Sequence, residues 1–150
     1  MRFGICYTGI VFLVMLFIPN IIWTKNQPQD YSAADENKLL LLLERAGQVL
    51  VTVCSLIFAD MNIHRERAAL LCIAFALMVL YEIWWMRYFC SERKLSDFYS
   101  SIMGIPLAGA VLPVVSFLLL GLYGMNLPMI ISAIILGIGH IGIHAEHARA

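Results

Sequence analysis

The chain has 150 residues, 61% of them hydrophobic, and its ten basic and ten acidic residues cancel. Soluble domains carry about 45–50% apolar and roughly 25% charged residues, against 13% charged here, so the composition excludes an ordinary soluble domain and is that of an integral membrane protein. No concentrated excess of Lys and Arg is present to grip nucleic acid, and four or five spans of about 20 residues leave no room for a separate soluble catalytic domain.

The first apolar segment, residues 3–23, lies between Arg2 and Lys25 and is interrupted only by Thr8 and Pro19-Asn20. A cleaved signal peptide is the rival reading, but the small-x-small spacing of a cleavage site is missing after the run. Pro19 is expected to kink or end the helix, with Trp23 as an interfacial anchor. The polar stretch that follows carries Pro28, and Ser32-Ala33-Ala34-Asp35 predicts a helix start, with a capping oxygen and an acid in the first turn. The second span, 39–58, is about 30 Å long at 1.5 Å per residue and matches the hydrocarbon thickness. Residues 60–67 form a polar loop.

The third span, 68–89, has Tyr81, Trp84, Trp85 and Tyr88 in its second half, as an aromatic belt would. Leu95, Phe98, Tyr99, Ile102 and Met103 then recur at helical spacing opposite Ser96, Asp97, Ser100 and Ser101, which predicts a short interfacial helix over 95–103, ended by Gly104 and Pro106. A turn packed on the bundle fits the same stripe. The fourth span is 105–123, with Pro106, Gly109 and Pro113. After a tight connection at 124–128 the fifth, 127–143, runs into His140, His144, Glu146 and His147. The expected fold is a single all-α bundle of five transmembrane helices, without repeats or low-complexity tracts. Cys6, Cys54, Cys72 and Cys90 make no C-x-x-C pair and read as packing residues.

With five spans, one side of the membrane receives Arg2, Arg65 and Arg67, and the other receives Lys25, Lys38, Arg45, Arg87, Arg93, Lys94 and Arg149. The positive-inside rule makes the richer side cytoplasmic, with the N-terminus outside and the C-terminus inside.

Charges within apolar spans are costly and mark places of interest. These are Glu44 and Arg45 in the second span and Glu82 and Arg87 in the third; Glu44 and Glu82 lie about 8–10 Å from the cytoplasmic ends, in a layer where His140 arrives on the fifth. Neither pair has the spacing of facing helical neighbours, so partners must come from other helices. Arg45 is expected to meet Glu82, and His140 to meet Glu44 or Glu82. Glu44, Gln48, Thr52 and Ser55 share an inward stripe, while Ala133, Gly137, His140, His144 and His147 share another on which small residues admit a neighbouring backbone. The polar-pocket candidates are Glu44, Arg45, Gln48, Glu82, Arg87, His140 and His144.

The spacing H-x3-H-x2-H allows His144 and one neighbour to share a zinc ion, making His140 and His144 metal candidates. Histidines at a helix C-terminus also interact favourably with its free carbonyls, and this reading takes precedence, so no cofactor is expected. No nucleophile elbow or phosphate loop occurs, and Gly137-Ile138-Gly139 reads as a packing surface. The runs Ile18-Pro19-Asn20-Ile21-Ile22-Trp23-Thr24-Lys25, Glu44-Arg45-Ala46-Gly47-Gln48 and Gly139-His140-Ile141-Gly142-Ile143-His144 resemble small uncharacterised multi-pass membrane proteins of bacteria. The resemblance covers most of the chain and implies a bacterial cytoplasmic membrane, with no activity, substrate or catalytic residue to carry over. The favoured expectation is a binding or transport-associated membrane protein whose cytoplasm-side polar pocket takes a lipid headgroup, small solute or proton. The alternatives are a lipid-modifying enzyme using Glu82 and His140 as acid and base, and an accessory subunit whose polar layer is structural and whose apolar faces bind a larger membrane protein. The expected partners are membrane lipids, with a second copy of the chain or a larger membrane protein as further candidates.

Overall fold

A computed structural model describes residues 1–33 and 36–149, and among these the regular structure is helical. The helices are α1 (Tyr7–Trp23), α2 (Lys38–Ile57), α3 (Ala68–Phe89), α4 (Leu95–Phe98), α5 (Ala108–Tyr123) and α6 (Leu127–His147), with a 3-10 turn at Ala59–Met61. Three of them, α2, α3 and α6, are long and apolar enough to cross a membrane. The apolar helices α1 and α5 are shorter, with 17 and 16 residues.

The helix ends depart from the sequence expectation for local reasons. Residues 3–6 are extended rather than helical, because the Gly4 and Cys6 amides bond the Ile57 and Leu56 carbonyls at 2.9 and 3.1 Å. These carbonyls belong to the last turn of α2, which has no intrahelical donors for them. The Cys6 thiol then caps α1 by accepting from the Gly9 amide at 3.3 Å. Pro19 does not end α1, which continues to Trp23. The cap of α2 is Asn37, whose Oδ1 accepts from the Leu39 and Leu40 amides at 3.0 and 3.4 Å; of the expected start, Ala34 and Asp35 lie outside the described residues. α6 runs four residues past the expected end, since nothing in His144 to His147 breaks a helix.

The expected interfacial helix over 95–103 is the largest correction. Only one turn forms, Leu95–Phe98. Ser100 Oγ bonds the Asp97 carbonyl at 2.6 Å, the local side-chain competition that serines offer a helix. The chain then reverses through an Ile102–Ile105 bridge, with Met103, Gly104 and Leu107 at positive φ. Phe98 is buried among the aromatic residues of the core rather than laid on a surface.

The five long helices form a ring in the order α1, α2, α6, α5, α3, with α1 closing it between α2 and α3. The tightest junction is α2 with α6. A Cβ on Gly139 would lie 2.2 Å from the Glu44 amide nitrogen, and one on Gly47 would lie 2.4 Å from the Leu136 Cα, so each glycine admits the opposing backbone. The sequence pointed to Gly137 for this role, but Gly137 faces the Val114 side chain of α5. Trp84, Tyr81, Tyr88, Phe12 and Phe117 are among the largest fully buried side chains. Outside the ring, Val14, Ile18, Leu42, Val53, Ile83 and Ile134 are exposed, an apolar exterior that a protein in water rarely shows.

Gly139→Ala should lower stability in detergent by about 1–3 kcal/mol, because the methyl meets backbone that cannot yield. Gly142→Ala should cost less, since its methyl meets only the end of the flexible Leu40 side chain. Thermal unfolding of the two variants side by side checks this; equal losses would contradict the backbone contact.

Candidate functional site

The close crossing of α2 and α6 also positions the central polar pair. Gly139 brings the α6 backbone onto Glu44, and the next residue, His140, places Nδ1 2.5 Å from Glu44 Oε1. Both side chains are largely buried. His144, one turn further along α6, packs its ring at a tilt with its centroid 4.5 Å from that of His140 and 5.5 Å from that of Phe98. His147 is held by the Tyr99 hydroxyl at 2.9 Å and lies 3.7 Å from a Glu36 carboxylate oxygen.

The connecting segment after α1 folds back over this end of the ring. Tyr31 packs edge-on against Trp23, with centroids 5.1 Å apart, and Trp23 stacks on Phe98 at 5.1 Å. The Tyr31 hydroxyl is pushed up to about 12, first by burial and then by the negative charges of Glu36 and Glu44. Tyr99 is raised by burial and then by Tyr31 and Glu36. Tyr88 donates to the Asn26 carbonyl at 2.7 Å, and Arg93 bonds the Asn26 side chain, which ties this segment to the end of α3.

Two cavities lie inside the ring. The lower, of about 250 Å³, is walled chiefly by Leu16, Phe17, Val51, Val114, Phe117 and Leu136. The upper, of about 180 Å³, is walled by Trp23, Tyr31, Trp84, Trp85 and Phe98, with Glu44, His144 and Gly109. Asn20, Gln48 and His140 belong to both walls, so the compartments adjoin at a polar collar. Asn20 is oriented there by donating to the Tyr81 hydroxyl at 2.8 Å and the Leu16 carbonyl at 2.7 Å.

Of the residues singled out from sequence, Glu44, Gln48, His140 and His144 meet around this chamber. The expected contact of His140 with Glu44 is present, and that of Arg45 with Glu82 is not. Arg45 is exposed on α2, and Glu82 lines neither cavity and has a buried Oε1 without a hydrogen-bond partner. The reason is position around the ring, since α5 and α6 lie between α3 and α2 on one side and α1 on the other. Arg87 reaches the turn after α4, donating to Ser100 Oγ at 2.5 Å and the Ser101 carbonyl at 2.9 Å. His140 and His144 adjoin, but among the described residues no three His, Cys, Asp or Glu side chains converge to hold a metal ion.

Sequence reasoning missed the aromatic wall. Its signal lay in the stripe through Leu95, Phe98 and Tyr99, which marked an inward-facing surface without showing that Trp23 and Tyr31 would meet it. At the opposite end of the ring, Asp60 accepts from the Arg2 amide, His64 stacks on Tyr123 at 4.3 Å and Arg67 donates to the Tyr123 carbonyl at 3.0 Å, closing that end with polar contacts. Comparison with protein-family models, with curated proteins and with solved structures gives no match.

A double-mutant cycle on Glu44→Gln and His140→Phe should show coupling of about 1–3 kcal/mol, the range for a hydrogen-bonded partly buried pair. The matching cycle on Arg45→Gln and Glu82→Gln should be additive. Thermal unfolding in detergent reads both, and coupling in the second cycle would contradict the observed separation.

Proposed function

We propose that this chain crosses the membrane five times and acts as a small binding or transport-associated protein, its internal chamber holding one small molecule or lipid headgroup. The observation that carries the reading is the paired cavity within the ring, apolar in one compartment and polar at the collar of Asn20, Gln48 and His140, with Glu44 beside it in the upper wall. All five long helices contribute to the lower wall, an expensive arrangement for a purely structural polar clamp. Together the compartments reach the roughly 300–1,000 Å³ typical of small-molecule sites, which are mostly apolar with a few placed polar groups.

Five crossings are supported by the alternation of the ring and by the flanks of its short members. At 17 and 16 residues α1 and α5 are about 24–26 Å long, near the lower limit for a span, and the segments at 3–6 and 105–107 lengthen both. The basic residues favour a cytoplasmic position for the end that carries α4, Tyr31 and His147, with the N-terminus outside; the resemblance to small bacterial membrane proteins implies that the membrane is a bacterial cytoplasmic one. An enzyme using Glu82 with His140 has no geometric support, because the two do not share a cavity.

Mass spectrometry of protein purified from its native membrane should reveal a retained small molecule or lipid. It should be lost in Thr52→Trp, which fills the lower compartment from a partly exposed wall position. A folded wild-type protein that retains nothing, and binds nothing offered to it, would reject the reading. For orientation, Cys90 is exposed and, in a Cys72→Ser background, should react with a membrane-impermeant maleimide only from the cytoplasmic side. Labelling from outside would invert the topology.

A further inference from the structure

We propose that the chamber takes an amphiphilic organic cation, with its alkylated ammonium head in the aromatic upper compartment beside Glu44 and its apolar tail in the lower one. This rests on the reading of the chamber as a binding site and names the chemistry of what it binds.

Charge decides first. Among the described residues no Lys or Arg lines either compartment, and Glu44 is the one carboxylate that does. The two arginines that sequence made candidate anion contacts are elsewhere, Arg45 exposed on α2 and Arg87 bonded to the turn after α4. An anionic headgroup would therefore meet a carboxylate and the negative faces of aromatic rings, without a Lys or Arg side chain to offset its desolvation.

The walls decide next. Trp23, Tyr31, Trp84, Trp85 and Phe98 enclose the upper space, and a cluster of aromatic faces is the arrangement that attracts an alkylated ammonium, through the ring quadrupoles. Such a head keeps its charge but is weakly hydrated, so rings and one carboxylate suffice for it. A small inorganic cation needs several oxygen or nitrogen ligands, and no group of three metal-binding side chains exists among the described residues. Glu44 gives Oε1 to His140, while Oε2 takes no hydrogen bond from the described residues and is left for the ligand. Glu36, 3.7 Å from His147, adds a second negative charge close to Tyr31, on which it acts together with Glu44.

The lower compartment supplies the tail site and the route. Leu16, Val51, Val114 and Leu136 offer an apolar slot continuous with the collar. Two of its wall residues, Phe17 on α1 and Gln48 on α2, are exposed, which suits an entrance to the slot between α1 and α2. An amphiphile can thus slide in from the bilayer, tail within the apolar layer and head toward the polar end.

The test uses the full-length protein in a neutral maltoside, titrated with octyltrimethylammonium, octyl phosphate and octanol, and followed by tryptophan fluorescence and calorimetry. The ammonium probe should bind saturably and at least about tenfold more tightly than the other two, and Glu44→Gln, which keeps the shape of the side chain, should cost about tenfold. Tyr31→Phe should retain binding and Tyr31→Leu should weaken it several-fold; Tyr31 lies in a connecting segment, so both variants should fold. Preference for the phosphate, or ammonium binding indifferent to Glu44→Gln and Tyr31→Leu, would overturn the assignment. If the phosphate or octanol binds saturably and Thr52→Trp abolishes it, the chamber is a binding site and the cation assignment fails. If none of the three binds, both readings fall.

Discussion

The contact on which the rest depends is the glycine-mediated crossing of α2 and α6. In an apolar solvent, helices gain little from burying apolar side chains, and association relies on close packing and on hydrogen bonds between helices. Gly47 and Gly139 remove the side chains that would hold the two backbones apart. That proximity places His140 beside Glu44, and the pair then forms one side of the collar between the compartments. The same few residues thus carry packing, polar pairing and the shape of the chamber.

The aromatic end has a different origin. Tyr31 belongs to the segment between α1 and α2, and Phe98 to a single helical turn, so neither is positioned by a long helix. They are held instead by ties to the core: Tyr88 and Arg93 to Asn26, Arg87 to residues 100 and 101, and Trp84 Nε1 donating to the Ser100 carbonyl at 3.2 Å. Arg87, a conspicuous charge in an apolar helix, serves in this way to secure the turn after α4. Its side chain is long enough to reach polar partners at the helix end, as basic residues in such positions do.

The layer of scarce charges divides into two groups. Glu44 and His140 face the chamber, while Arg45 and Glu82 are separated around the ring, with one carboxylate oxygen of Glu82 buried and unpaired. Nothing in the structure explains the retention of Glu82 at that position. The ionisable residues at one depth therefore do not constitute one site, and the aromatic residues supply most of the upper wall.

Composition and hydropathy alone determined the class of protein, the helical content and all five long apolar helices, with α3 matched at both ends, because burial in an apolar solvent demands long apolar runs with internally satisfied backbones. Periodicity identified the inward stripe of Glu44, Gln48 and Thr52, and depth counted along the helices brought His140 to Glu44's level. Angular order around the ring was not legible, since any two helices reaching the same depth are equivalent in a linear sequence. That order paired His140 with Glu44, parted Arg45 from Glu82 and selected Gly139 over Gly137. The turn after α4 was also decided by tertiary structure, where burial of Phe98 among the core rings and the local bonds of Ser100 outweighed a helical pattern too short to persist by itself. A sequence states how deep each group lies; only packing states which groups look at one another.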